Sequence, residues 1–249
     1  MKCIGIIGGM SPESTVHYYE RINRQVTKRA GGLTTAELVL RSVNFGEYTH
    51  LMDEGRWQYI GVRLSYEAEK LAYGSGCDYI ALATNTMHKV APLIKSRIEG
   101  SCIDSSDCCP KFVHIGDCIA EKLKEAGARR ILFLGTKTTM TEDFMKDYLL
   151  EQHGIKTIEV KDYPEEVEEI NRIIFEELCR GIVMYRSRKH LMDFIRKFTA
   201  NDLPELRPEA IVLGCTELDM ILGPADVDIP LVDSTQVHID KLVELCLSD

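Results

Sequence analysis

The sequence predicts an α/β protein with a mostly parallel sheet that is covered by helices on both faces. Strand-like and helix-like segments alternate along the 249 residues. The strand-like segments are short, continuous apolar runs, the clearest of which cover residues 4–7, 79–83, 131–134 and 210–213. Such runs are typical of parallel strands buried on both faces, and the alternation is typical of strand–helix–strand units.

The remaining elements follow from apolar spacing and from local start and stop signals. The first helix is predicted over residues 12–29, because Ser11 is a good N-cap and Pro12 suits the first turn. Further strands are predicted at 37–43 and 156–160. The other segments with helical spacing lie at 60–73, 88–98, 113–126, 142–153, 166–180, 187–200 and 237–247.

A faint internal repeat predicts two similar halves. Residues 4–9 resemble residues 131–136, and residues 80–86 resemble residues 211–217 at nearly the same offset. We expect a first domain of residues 1–108 plus 220–249 and a second of residues 109–219. A ligand would lie between the halves, where strand carboxyl ends converge.

Charge and composition exclude several classes of partner. The formal net charge is −9 and the isoelectric point about 5.4, which disfavours nucleic acid and anionic membranes. No apolar run reaches the roughly 18 residues of a membrane helix, and no secretory signal is evident. We therefore expect a cytoplasmic protein.

Nine cysteines without a regular framework of spacings are typical of reduced thiols. Cys102, Cys108 and Cys109 cluster near His114, but no C-x-x-C pair accompanies them. We predict no metal site there.

The segment from Gly214 to Glu217 follows a buried strand and carries the strongest candidate for chemistry. A helix beginning directly after Cys215 would favour its thiolate. The backbone N–H groups of Thr216 and Glu217 could then hold a carboxylate. A buried cysteine at the end of a strand remains an equal alternative.

Three further polar turns follow predicted strands. Residues 84–88, Thr-Asn-Thr-Met-His, match the place of Cys215 in the first half, although an ordinary N-cap explains them as well. Residues 8–11 and 135–139 are rich in glycine and hydroxyls and could help to bind an anion. The chain has no G-x-G-x-x-G, P-loop or G-x-S-x-G motif, so NAD, ATP and serine hydrolysis are disfavoured.

Taken together, these segments resemble the aspartate/glutamate racemase family. The matching pieces occur in family order over nearly the whole chain: 8–15 with Tyr18 and Tyr19, 42–45, 85–88, 134–140, 166–178, 213–218 and 234–238. The Asn-Thr-Met-His form is similar to the branch with bacterial L-aspartate/glutamate-specific racemases.

The resemblance implies two pseudo-symmetric Rossmann-like domains with mostly parallel four-stranded sheets and an active site in the interdomain cleft. It also implies an amino-acid substrate and no cofactor. Two cysteines usually flank the substrate's α-carbon in this family; one removes the Cα proton and the other supplies a proton to the opposite face. Here the resemblance places Cys215 and Thr84 at those positions. The substrate-binding residues that it implies are Met10, Ser11, Asn85, Thr86, His88, Thr136, Thr139, Thr216 and Glu217.

The sequence departs from the family pattern at two places. Thr84 replaces the first cysteine, and a threonine hydroxyl can only hydrogen-bond or relay a proton from water or from His88. We therefore expect asymmetric catalysis in which Cys215 deprotonates the L-enantiomer. Glu168 and Glu169 stand where a basic residue is usual, so Arg41, Arg172 or Lys137 would have to bind the substrate's side-chain carboxylate.

Several alternatives remain open at the level of sequence. His238 and Glu166 are family-like but equally consistent with structural roles. A single-cysteine decarboxylase or isomerase of small carboxylic acids, similar to arylmalonate decarboxylases, is one competing function. A non-catalytic amino-acid-binding protein is another. Dimers are the commonest soluble assembly, so a homodimer is the first expectation for the oligomeric state.

Overall fold

The computed structural model describes residues 1–100 and 109–248. Within these residues eight strands form two separate four-stranded sheets, and every strand pair is parallel. The chain divides into two compact units. The first comprises Met1–Ile115 and His238–Asp249, and the second comprises Gly116–Val237. The predicted α/β class with two four-stranded parallel sheets is confirmed.

The first unit contains strands β1 (Ile4–Gly8), β2 (Leu38–Ser42), β3 (Tyr79–Leu82) and β4 (Lys111–Val113). They lie in the order β2-β1-β3-β4, with Ile4 of β1 opposite Leu38 of β2 and Tyr79 of β3. All five residues of β1 are buried. Among the described residues, the helices that lie wholly within this unit are α1 (Pro12–Ala30), α2 (Phe45–Asp53), α3 (Trp57–Glu69) and α4 (Ala91–Gly100).

The second unit repeats this strand order. Strands β5 (Arg130–Leu134), β6 (Lys156–Thr157), β7 (Ala210–Leu213) and β8 (Leu231–Asp233) lie in the order β6-β5-β7-β8. The remaining helices are α5 (Ile115–Glu125), α6 (Lys137–Thr141), α7 (Asp143–His153), α8 (Pro164–Arg172), α9 (Tyr185–Thr199) and α10 (Ser234–Cys246). The predicted repeat therefore pairs β1 with β5 and β3 with β7, the two central strands of each sheet.

Local signals predicted long elements well and short ones poorly. Ser11 caps α1 as expected, because its side chain accepts a hydrogen bond from the Ser14 N–H group. Strands β4 and β8 and helix α2 were not predicted, and residues 111–113, which border the predicted helix 113–126, form β4. A three-residue strand at a sheet edge carries too little pattern to detect.

The boundaries of the two compact units differ from the predicted domain boundaries. The units meet in the chain at 115/116 and 237/238, whereas the predicted domain boundaries were 108/109 and 219/220. The boundaries of independently stable domains stay a prediction.

Two further expectations concern the cysteines and membrane helices. Cys102 and Cys108 lie outside the described residues. Cys109 is disulfide-bonded, so the expectation of uniformly reduced thiols does not hold there. In the described part of the chain, no helix combines the length and apolarity needed to cross a bilayer.

Close packing beside the second sheet requires a glycine at position 214. A Cβ atom added at Gly214 would lie 1.8 Å from Cε1 of Phe133 on β5, and one added at Gly135 would lie 3.0 Å from the Gly214 carbonyl oxygen. The loops after β5 and β7 can approach each other only because both positions lack a side chain.

We predict that Gly214→Ala lowers the free energy of unfolding by about 1–3 kcal/mol, because the methyl group overpacks against Phe133. Chemical denaturation monitored by circular dichroism measures the change. Gly223→Ala is the matched control, since a Cβ there meets no heavy atom of the described residues within 4 Å. Equal stability of the two variants would contradict the packing argument.

Candidate active site

The polar loops of the first unit lie at the carboxyl ends of its two central strands. Met10 and Ser11 follow β1, and Thr84, Asn85 and Thr86 follow β3. All five are buried. The Ala83 N–H group donates to the Ile7 carbonyl, which continues the pairing of the two strands up to Thr84. The parallel sheet thus brings the predicted residues of this unit to one edge.

The loop after β1 is built around Gly9, which has a φ of 88°. A Cβ atom there would lie 2.4 Å from the Val43 carbonyl oxygen. The Gly9 N–H group donates to Thr15 Oγ1 at 2.6 Å, and the Thr15 hydroxyl donates to the Ser11 carbonyl at 2.8 Å. Thr15 therefore holds the turn that presents Ser11, a supporting role that its place inside a helical pattern did not reveal.

His88 holds the loop that carries Thr84. Its Nδ1–H group donates to the Thr84 carbonyl at 2.8 Å, and its Nε2 accepts the Ile115 N–H group at 3.1 Å. Burial, and then the neighbouring His114 and His238, hold the pKa of His88 well below its usual range. These two bonds favour a supporting role for His88 in the Thr84 loop, and a neutral ring bonded to backbone at both nitrogens does not suit a proton relay. The predicted contact of His88 with substrate stays a prediction.

His238 is a buried partner of α1 and β4. The Tyr18 hydroxyl lies 2.9 Å from its Nδ1, and its Nε2 lies 3.2 Å from the Val113 carbonyl, to which it donates. Burial lowers the pKa of His238 to about 4, so the ring is neutral at neutral pH. Glu166 forms an ion pair with Lys197. Both residues have structural partners, which favours the structural alternative for each.

In the second unit, the loop after β5 forms a compact hydroxyl cluster. Thr136 caps the short helix α6, and its Oγ1 lies 3.0 Å from Oγ1 of the buried Thr139. The Asn171 side chain accepts the Lys137 N–H group at 2.8 Å. The Ile-Asn motif of α8 thus fixes the start of α6 beside the loop after β7.

Cys215 lies in that loop, two residues beyond the end of β7. Its thiol donates to Glu217 Oε2 at 3.0 Å, and the Thr216 hydroxyl donates to the same oxygen at 2.6 Å. Cys215 is 8 % exposed, Thr216 is 6 % exposed and Glu217 is 4 % exposed. The loop therefore buries a thiol directly against a carboxylate.

The expected stabilisation of the Cys215 thiolate is wrong for the protein without substrate. The segment that follows is a single 3₁₀ turn, Leu218–Met220, which is too short to supply the dipole of a full helix. Burial, and then the charge of Glu217 and the Cys179 thiol, raise the pKa of Cys215 well above its usual value. These causes favour the thiol over the thiolate.

The three basic residues considered for the substrate's side-chain carboxylate all have acidic partners. Arg41 contacts Glu67 at 2.7 Å. Arg172 contacts Glu169 at 2.7 Å and the buried Glu177 at 2.8 Å. Lys137 contacts Glu168 at 2.7 Å, and both side chains of that pair are more than half exposed. Lys137 follows directly after Thr136 in the β5 loop, so it is the basic residue nearest in sequence to the predicted site of this unit.

Comparison with known proteins agrees with this architecture. Residues 7–242 match the sequence model of a family described as Asp/Glu/hydantoin racemase. The structure is similar to that of a candidate Asp/Glu racemase from Yersinia pestis, with 37% identity, 100% coverage of both chains and a TM-score of 0.85. It is also similar to an aspartate racemase homologue from Pyrococcus horikoshii, with 34% identity, 100% coverage of both chains and a TM-score of 0.79.

A more distant relative shares the fold. The aspartate racemase of Picrophilus torridus is 20% identical, with coverage of 99% of this chain and 94% of that chain and a TM-score of 0.68. The family and the enzyme class predicted from the sequence, an amino-acid racemase, are confirmed. With its family match covering nearly the whole chain, this protein belongs to the Asp/Glu/hydantoin racemase family.

Proposed function

We propose that this protein interconverts the L- and D-enantiomers of aspartate or glutamate, with Cys215 as the base that removes the Cα proton of the L-enantiomer. The observation that carries the proposal is the matching position of two residues. Thr84 and Cys215 each lie two residues beyond the end of equivalent central strands, β3 and β7. Such matched positions suit a two-base reaction, in which one group removes the Cα proton and the other supplies a proton to the opposite face.

The two groups differ in acidity, which makes the reaction asymmetric. A thiol titrates at about 8.5 in peptides, and serine and threonine hydroxyls do not titrate near neutral pH. Cys215 is therefore the group that can act as a base, and Thr84 returns a proton to the opposite face. The assignment predicts unequal rates from the two enantiomers, and the similarity of the Asn-Thr-Met-His segment to the L-specific branch favours the L-enantiomer as the faster substrate.

Loss of the Cα proton places negative charge on the substrate's α-carboxylate, so the site must offer donors to that group. We assign this need to hydroxyls and N–H groups of the polar loops: those of Ser11, Asn85 and Thr86 in the first unit, and those of Thr136 and Thr139 in the second. Thr216 would contribute its N–H group, because its hydroxyl already donates to Glu217. A single donor directed at developing charge contributes about 10²–10³ in rate.

The substrate's side-chain carboxylate requires a cation, and we assign this role to Lys137. Its ion pair with Glu168 is exposed on both sides, so the pair contributes about 0–1 kcal/mol and is exchanged at little cost. Arg172, in contrast, forms an ion pair with the buried Glu177. If Arg172 bound substrate instead, the negative charge of Glu177 would lose this partner, which is costly for a buried group.

Cys215→Ser should reduce Cα exchange by about 10²–10⁴, because a general base contributes that much and serine is a far weaker acid than cysteine. Proton NMR of Cα–H loss from L- and D-aspartate and L- and D-glutamate in D₂O measures the effect. Cys118→Ser, at another buried cysteine of the same unit, is the control and should retain wild-type exchange. A Cys215→Ser protein that keeps more than a tenth of the wild-type rate would remove Cys215 from this role.

The same NMR experiment also separates the proposal from its competitors. Wild-type exchange that is faster from one enantiomer supports the racemase. The absence of exchange from all four amino acids in a folded protein would contradict it, and release of carbon dioxide from an arylmalonate would then favour the decarboxylase.

Lys137→Met should raise KM for aspartate and glutamate at least tenfold and leave kcat within about threefold, because a cation that binds both ground and transition state affects binding uniformly. A tenfold change corresponds to about 1.4 kcal/mol. Lys161→Met, which removes another exposed lysine of this unit, serves as the control. An unchanged KM in Lys137→Met would assign side-chain recognition to another residue.

A further inference from the structure

We propose that Glu217 is the proton acceptor for the Cys215 thiol and acts through that residue as a positioning group, rather than by binding substrate. This inference rests on the proposed function of Cys215 as a base. The observation that supports it is the direct contact between the Cys215 thiol and the Glu217 carboxylate inside a buried loop, with Sγ 3.0 Å from Oε2.

The thiol needs a neighbouring protein group to take its proton, because burial keeps it from contact with bulk water. Cys215 is 8 % exposed, and its burial disfavours the thiolate. Loss of the thiol proton to solvent would leave two negative charges 3.0 Å apart in a desolvated loop, which like-charge repulsion opposes. Transfer of the same proton to Glu217 leaves the pair with a single negative charge throughout.

The proton movements balance within the pair. The S–H bond of Cys215 breaks, an O–H bond forms on Glu217 Oε2, and the sulfur keeps the electron pair. The thiolate then takes the Cα proton, while the substrate keeps the electrons of the C–H bond. After reprotonation of the substrate by Thr84, that hydroxyl regains a proton from water and Glu217 returns its proton to water.

A direct role of Glu217 in binding substrate fits the geometry less well. A buried carboxylate repels the α-carboxylate of an amino acid, whereas Oε2 already accepts the thiol of Cys215 and the hydroxyl of Thr216. The two groups that act electrostatically on Cys215 are Glu217 on its own loop and the thiol of Cys179, in the turn Leu178–Arg180.

The contact predicts a particular dependence on pH. Burial and the neighbouring Glu217 carboxylate raise the pKa of the Cys215 thiol well above its usual value, so loss of this proton to solvent belongs to alkaline solution. Wild-type Cα exchange from L-aspartate should therefore be flat between pH 6 and 8. A tenfold rise per pH unit over that range would overturn the proposal, since it would mean that the thiol loses its proton to solvent.

The deciding variant is Glu217→Gln, which keeps the shape and removes the charge. Two readouts are compared: alkylation of Cys215 by iodoacetamide, followed by mass spectrometry of its peptide, and Cα exchange from L-aspartate. We expect the pH midpoint of alkylation to fall by at least one unit, because the neighbouring negative charge is gone. We expect exchange at pH 7 to fall at least tenfold, because the proton acceptor is gone.

In Glu217→Gln the Cys215 thiol should become easier to alkylate while Cα exchange becomes slower. These opposite changes distinguish a proton acceptor from a residue that only keeps the thiol protonated. If Glu217 only keeps the thiol protonated, exchange will rise together with alkylation, and the proposal is wrong. An unchanged alkylation midpoint would also overturn it. Glu177→Gln is the matched control, since it neutralises another buried carboxylate of this unit while Arg172 keeps Glu169 as a partner; its alkylation midpoint should equal that of the wild type.

Glu217→Asp keeps the test decisive if the glutamine variant does not fold. Aspartate retains a carboxylate that can take the proton, so it should keep at least tenfold more exchange than any folded variant without a carboxylate, such as Glu217→Ala; equal rates would overturn the proposal. If wild-type protein exchanges none of the four amino acids, the proposed racemase function fails. The alkylation midpoints then still decide whether Glu217 controls the Cys215 proton.

Discussion

Parallel pairing of two central strands in each sheet is the constraint on which the site depends. Because β1 and β3 run in the same direction, the loops that follow them emerge at one edge of the sheet, and the same holds for β5 and β7. The polar residues of each unit are consequently neighbours although they are far apart in the chain. Glycines also shape these loops: a Cβ atom at Gly9 would lie 2.4 Å from the Val43 carbonyl oxygen, and one at Gly214 would lie 1.8 Å from the Phe133 ring.

Burial of these loops then determines the chemistry of their side chains. A buried polar group needs a partner, and here the partners are specific: the Thr84 carbonyl has His88, the Gly9 N–H group has Thr15, and the Cys215 thiol has Glu217. Each partner lies within six residues of the group it serves. The loops are thus largely self-contained, which suits a site that must hold its donors in fixed directions.

The same burial explains why the pKa of Cys215 differs from what its sequence motif predicts. A helix beginning directly after Cys215 would favour its thiolate, yet only a short 3₁₀ turn follows, and desolvation and the adjacent Glu217 carboxylate raise the pKa of the thiol. The basic residues behave similarly. Arg41, Arg172 and Lys137 are all paired with glutamates, and only the exposure of each pair indicates which cation is cheaply released.

The amino-acid sequence by itself determined the fold class, the repeat and the family, because these depend on apolar periodicity and on motifs such as Gly-Cys-Thr-Glu that are local in the chain. It also identified Thr84 and Cys215 as equivalent positions. The short edge strands β4 and β8 could not be predicted from the sequence, because three residues are too few to show periodicity. The hydrogen bonds of His88 and Glu217 and the raised pKa of Cys215 were decided only by the tertiary structure, because they depend on burial and on which atoms face each other, and neither is encoded in residue spacing.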